Sequence, residues 1–127
     1  MAQTTSLTQN GATAVSATIY IPAGSQITAF DIDVLTAFNS GTSATLSIGT
    51  SAAATTYVSG VDVKTATGRI GATYTAAQLA AMSNQSVLGV ASPTLAPVVI
   101  TITPVGTAAT AGYVNVTVKY IQLTSSN

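Results

Sequence analysis

ITAFDIDVLTAFNSGTSATLSIGT, residues 27–50, reads as a long strand, a glycine-containing turn and a shorter strand folding back. Successive side chains of a strand point to opposite faces. Phe30, Ile32, Val34, Thr36 and Phe38 therefore share one face, and Asp31, Asp33, Leu35 and Ala37 share the other. Asn39-Ser40-Gly41 supplies a turn, and Ala44, Leu46 and Ile48 return with the same period of two. At about 3.3 Å per residue the first strand spans roughly 40 Å, so it is expected either to bend or to serve two sheets.

Toward the N-terminus, Val15, Ala17, Ile19 and Ile21 alternate with Ser16, Thr18 and Tyr20, the pattern of a half-buried strand over 14–21. Pro22-Ala23-Gly24-Ser25 reads as the turn between these strands, because Pro presets φ at its second position. Residues 1–11, a polar stretch, are expected to be a flexible arm.

Toward the C-terminus, Ser51–Thr56 reads as a loop of small residues, then Tyr57–Ser59 and Val61–Val63 as short extended pieces broken at Gly60. Lys64–Gly71 reads as another loop. Thr75-Ala76-Ala77-Gln78 matches a capping box, with Tyr74 and Leu79 placed as its hydrophobic staple, so a two-turn helix is expected over about 75–82. Ser86–Ala91, Val98–Thr103 (ended by Pro104) and Tyr113–Leu123 read as further strands. In the last of these, Val114, Val116, Val118 and Tyr120 oppose Tyr113, Asn115, Thr117, Lys119 and Ile121. Seven or eight strands with frequent turn signals and one short helix predict a single all-β domain. It should be an antiparallel β-sandwich of jelly-roll type, two four-stranded sheets with the helix in a connection. An immunoglobulin-like sandwich is the rival, but the chain has no Trp and no Cys pair.

Composition excludes more chemistry than it suggests. Only 5% of the 127 residues are charged, against about 25% in an ordinary soluble domain. Asp31, Asp33 and Asp62 balance Lys64, Arg69 and Lys119, while Ala, Thr and Ser make up nearly half the chain. With no cysteine there are no disulfides and no thiol chemistry. With no histidine and no glutamate there is no Ser-His-Asp triad, and the commonest general base and metal ligand are missing. No GxxxxGK[ST] loop or SxxK spacing occurs. No basic patch offers phosphate neutralisation, so nucleic acid is not an expected partner. Apolar runs are short and broken, so no membrane-spanning helix is expected despite a mean hydropathy of +0.52. The first eleven residues show no secretory signal, which makes cytoplasmic synthesis the expectation.

Three constellations remain. Asp31 and Asp33 lie about 7 Å apart on one strand face. Calcium wants 6–8 oxygens and glycoside hydrolysis a carboxylate of raised pKa beside another, and the sequence supplies neither requirement. Their plainer reading is a solvated sheet face, salt-bridged to Arg69 or Lys119. The five tyrosines, Tyr20, Tyr57, Tyr74, Tyr113 and Tyr120, are candidates for a stacking platform for sugar or base, or for core and subunit contacts. Lys64 and Arg69 are candidates for directional protein contacts, as isolated charges in a nearly neutral chain. With Tyr57 and Tyr74 they complete the set of interface candidates.

Three pieces carry a resemblance: IYIPAGSQITAFDIDVLTAFNSGTSATLSIGT, YVSGVDVKTATGRIG and the terminal PVVITITPVGTAATAGYVNVTVKY. In this order they resemble a group of small virion proteins of tailed bacteriophages, over about residues 14–122. The resemblance implies a head-decoration, or cement, protein: β-rich, trimeric, without cofactor or catalytic site, and clamping neighbouring major capsid subunits from outside the shell. On that reading the chain belongs to the capsid exterior, with the N-terminal arm, Thr124–Asn127 and the loops Ser51–Thr56, Lys64–Ala72 and Val105–Ala111 as contact regions. A carbohydrate- or receptor-binding module of a head fibre or tail tip would use the same β toolkit and is the alternative.

Overall fold

The computed structural model describes residues 1–22, 25–83 and 96–122. The chain runs β1 (Ala2–Thr8), β2 (Val15–Ile21), β3 (Ser25–Thr36), β4 (Ser43–Gly49), β5 (Val58–Asp62), β6 (Gly68–Gly71), α1 (Ala76–Ser83), β7 (Ala96–Val105) and β8 (Tyr113–Gln122). Two antiparallel four-stranded sheets result, ordered β1-β8-β3-β6 and β2-β7-β4-β5. β1 pairs with β8, β2 with β7, β3 with β6 and β4 with β5, the arrangement of one long antiparallel ribbon folded over on itself. The contacts β3 with β8 and β4 with β7 close each sheet. This is the jelly roll that the strand count predicts.

Alternation delivers the core. Val114, Val116 and Val118 of β8 and Ile100 and Ile102 of β7 are completely buried, as are Ile32 of β3 and Leu46 of β4. The inward rows of the two sheets thus meet as the pattern of two requires. The long strand does not serve two sheets. β3 stays in one and absorbs its length through irregularities between Ile27 and Ala29 and between Val34 and Thr36. The second of these turns Thr36 outward while Phe38, beyond the strand, is buried.

Several expectations are corrected. Residues 1–11 are not a flexible arm: Ala2–Thr8 forms β1, in register with β8 from Ala2↔Lys119 to Thr8↔Tyr113. A polar sequence suffices there because an edge strand needs only one inward residue of weight, here Leu7, and its outward Thr and Ser are solvated. Lys64–Gly71 is not all loop, since Gly68–Gly71 forms β6 along Asp31–Val34 of β3. Pro104 does not end β7, which runs to Val105. Both prolines of β7 sit where only one neighbour reaches it. Pro97 faces β2 beyond the end of β4, and Pro104 faces β4 beyond the start of β2, so neither missing N–H breaks a central ladder. The expected strand Ser86–Ala91 lies outside the described residues, as does Thr124–Asn127.

The turn expected at Pro22-Ala23-Gly24-Ser25 includes Ala23 and Gly24, which also lie outside the described residues, and two further local signals hold. At Gly60, φ is +69°, and Ser59 and Gly60 together oppose Ser47, a bulge in β5. The capping box forms in both directions: the Gln78 backbone N–H donates to Thr75 Oγ1 (3.2 Å), and the Thr75 N–H donates to Gln78 Oε1 (2.9 Å). α1 stands against β3 with Met82 buried. Just before the helix, the Tyr74 hydroxyl accepts the Phe30 N–H of β3 at 3.3 Å, where β6 no longer reaches.

Candidate functional site

Three surfaces of the sandwich present themselves. The outer face of β1-β8-β3-β6 carries four of the six charged side chains. Asp33 stands directly across from Arg69, which donates from Nε to Oδ1 (2.9 Å) and from Nη2 to Oδ2 (3.3 Å). Lys119 Nζ lies 2.8 Å from Asp31 Oδ2. The hydrogen bond from Lys119, assisted by its charge and that of Arg69, holds the Asp31 carboxyl below the usual carboxylate range against a smaller opposing desolvation. The same pairing, led by the hydrogen bond to Asp33, raises the Arg69 guanidinium. Thr4 and Thr117 share a hydroxyl–hydroxyl bond of 2.7 Å beside them. Each carboxylate is therefore occupied by a cation, and the face is electrically closed. Among the described residues no group of three or more His, Cys, Asp or Glu is placed to hold a metal ion.

The outer face of β2-β7-β4-β5 is built from hydroxyls. Ser16 and Thr18 of β2, Thr101 and Thr103 of β7 and Thr45 and Ser47 of β4 point away from the core. Its charge is Asp62 at the edge, which is spent locally. Asp62 Oδ1 accepts the Lys64 N–H (2.8 Å) and Oδ2 accepts the Thr65 hydroxyl. These bonds, the Thr65 hydroxyl foremost, lower the Asp62 carboxyl below its usual range.

The third surface is one end of the sandwich, where residues 9–14, 37–42 and 106–112 come together. The 106–112 loop is tied to both others. Gly41 N–H donates to Thr107 O (2.9 Å), Thr42 N–H to Val105 O (2.9 Å), Ala109 N–H to Gly11 O (3.1 Å) and Gln9 N–H to Gly112 O (3.1 Å). Asn39 acts as a clamp: its Oδ1 accepts the N–H groups of Thr110 (2.8 Å) and Ala111 (3.0 Å), and its Nδ2 donates to Thr110 Oγ1 (2.9 Å). Glycine is required at the closest approaches. A Cβ on Gly106, whose φ is +92°, would lie 2.5 Å from Thr42 Oγ1 and 2.7 Å from its backbone nitrogen. A Cβ on Gly112 would lie 2.7 Å from the Phe38 ring.

The interface candidates scatter. Arg69 is exposed and paired with Asp33. Lys64 is half-buried on the 63–67 connection, next to the tied end through the Phe38 N–H to Val63 O bond (3.1 Å). Tyr57 is a correction: it is completely buried, with its ring centroid 5.9 Å from that of Phe30, and belongs to the core. Alternation hid this, because Tyr57 precedes β5 and sits under the sheets rather than on a face. Its hydroxyl has no hydrogen-bond partner among the described residues, and burial raises its pKa. Tyr74 is half-buried and occupied with Phe30. Nor do the tyrosines gather into a platform: Tyr120 is buried, while Tyr20 and Tyr113 lie on different sheets and at opposite ends. Asn39 and the 9–14 loop escaped the sequence reading. Asn39 was visible only as a turn residue, and its partners lie more than 70 positions away.

No family model, no curated protein and no solved structure matches this chain.

Proposed function

We propose that this chain is a non-enzymatic structural protein of a tailed-phage virion, which decorates the outside of the head and stabilises it by bridging neighbouring major capsid subunits as a homotrimer. The observation that carries this reading is the self-neutralised surface. Four of six charged side chains are consumed in two ion pairs on one sheet face, Asp62 is spent on its own turn, and among the described residues the rest of the exterior is dominated by short hydroxyl and apolar side chains on a jelly-roll frame. A protein that works by contact gains from such a surface, because few charges must be stripped of water on docking. The sequence resemblance to small virion proteins points the same way. Repetition of a modest contact across a lattice then supplies strength through avidity.

The test is a density map of intact particles together with a deletion. The reading expects copies of this chain around symmetry or quasi-symmetry axes of the head exterior, and heads lacking it to rupture at lower temperature. Particles that carry no copy, or copies confined to the tail, overturn it. Binding of the isolated chain on a glycan array at micromolar affinity would favour a receptor-binding module instead.

A further inference from the structure

Among the described residues, the interlocked end is built more tightly than joining strands requires. Joining β-strands takes only short turns, yet here three connections are bonded to one another through main chain, the Asn39 clamp and closely packed glycines. Eleven residues of 9–14, 37–42 and 106–112 are nonetheless exposed, Ala12, Thr13, Ala108 and Thr110 among them. Short side chains on a fixed main chain lose little entropy when covered. At the rim of the same end stand Leu35, Val105 and Tyr113, 55%, 48% and 36% exposed. None of these residues is charged, and Lys64, on the 63–67 connection beside them, is half-buried.

Resting on the virion reading above, we propose that this end is the seat of the chain on the coat, and that it docks against an uncharged protein surface there. Charge decides the occupant. A strongly charged partner would lose hydration against loops that offer it no counter-ion, whereas a neutral surface exchanges only water for apolar and amide contacts. The opposite assignment, docking through the outer face of β1-β8-β3-β6, would require breaking the Asp31–Lys119 and Asp33–Arg69 pairs or covering them. Size fits as well. Fourteen exposed residues, counting the three at the rim, fall short of the roughly 20–30 a side of a standard stable interface. A single seat is therefore weak, and the contact is useful where many copies bind one shell.

The experiment measures binding of purified chain to expanded empty heads that lack it, by co-sedimentation at 50 and 500 mM salt. Two double variants place lysines at exposed positions: Ala12→Lys with Ala108→Lys on the end, and Thr18→Lys with Thr103→Lys on the hydroxyl face. Melting of each variant checks that it folds. The expected result is a tenfold or greater loss of affinity for the end pair, less than twofold for the face pair, and less than twofold change of wild-type affinity with salt. Wild type that binds while the end pair binds equally well overturns this inference alone, as does a steep fall in affinity with salt. Wild type that binds no head overturns the virion reading and this inference with it. Self-association of the isolated chain in sedimentation equilibrium, abolished by the end pair, assigns the end to a second copy and also overturns it.

Discussion

The interlocked end and the outer face of β1-β8-β3-β6 are both open to solvent, and they are held in different ways. On the sheet face the backbone is fixed chiefly by the ladder, and the polar side chains bond mostly among themselves: Arg69 to Asp33, Lys119 to Asp31, Thr4 to Thr117. At the end most side chains are Ala or Gly and too short to bond, and main-chain bonds join the loops with the Asn39 side chain as a clamp. Exposure therefore says little about tolerance to change. A substitution on the face disturbs contacts that water readily replaces. A substitution at the end disturbs the path of the main chain, for which water is no substitute.

The harshest way to break this contrast is Gly106→Ala. It adds one methyl group at an exposed position, which on the sheet face would cost almost nothing. At Gly106 it combines a left-handed backbone with a Cβ 2.5 Å from Thr42 Oγ1 and 2.7 Å from Thr42 N. Backbone strain and overpacking together are expected to remove about 3 kcal/mol, lowering the melting temperature by roughly 10 °C. A melting temperature within 2 °C of wild type would show the end to be as plastic as the face.

Asn39→Ala is gentler. It deletes the clamp and leaves the Thr110 and Ala111 N–H groups to solvent rather than to a buried void. The expected loss is about 1–2 kcal/mol by chemical denaturation. Amide exchange should quicken at 109–112 while the β8 ladder keeps its protection. Exchange that quickens uniformly would mean the end is not a separate unit.

Tyr57→Phe probes a hydroxyl that neither surface carries, one inside the core. Hydroxyls on the faces find water or one another, but the Tyr57 hydroxyl lies buried without a partner among the described residues. Removing it keeps the ring against Phe30 and relieves an unpaired polar group. Stability is expected to rise by about 1 kcal/mol, the opposite sign from removing a paired hydroxyl. A loss larger than 1 kcal/mol would reveal a bonded hydroxyl.

These cases also mark how far the sequence could be read. Periodicity of two located β2, β3, β4, β7 and β8 because each has one dry face and one wet face, and Val114, Val116 and Val118 fall where alternation puts them. The capping box located α1 because its bonds span three residues. β1 was taken for an arm and β6 for a loop, because edge strands with short or polar side chains owe their form to a partner rather than to their own pattern. The interlocked end was invisible for a related reason. Gly41 reads as an ordinary turn glycine, and only the meeting of three distant loops gives it, Gly106 and Gly112 a further task. The ion pairs of Asp31 and Asp33 were legible, since four charges on or beside one strand face in a nearly neutral chain have few other partners.

Those ion pairs should give the smallest effect. Lys119→Ala and Asp31→Ala, combined in a double-mutant cycle at 0.15 M salt, are expected to show coupling of no more than about 0.5 kcal/mol, since both side chains keep contact with water and salt screens them. The pH dependence has a definite sign. Asp31 and Asp62 have lowered carboxyl pKa values in the folded chain. Their contribution is therefore fully present above the unfolded value of about 3.9, and it fades as pH falls below that toward the folded values. With no histidine to titrate, melting temperature should be level from pH 5 to 8 and decline below about pH 4, less steeply in Lys119→Ala than in wild type. A decline that begins at pH 6, or a coupling near 2 kcal/mol, would mean that the charged face is buried against something in solution and matters more than the end.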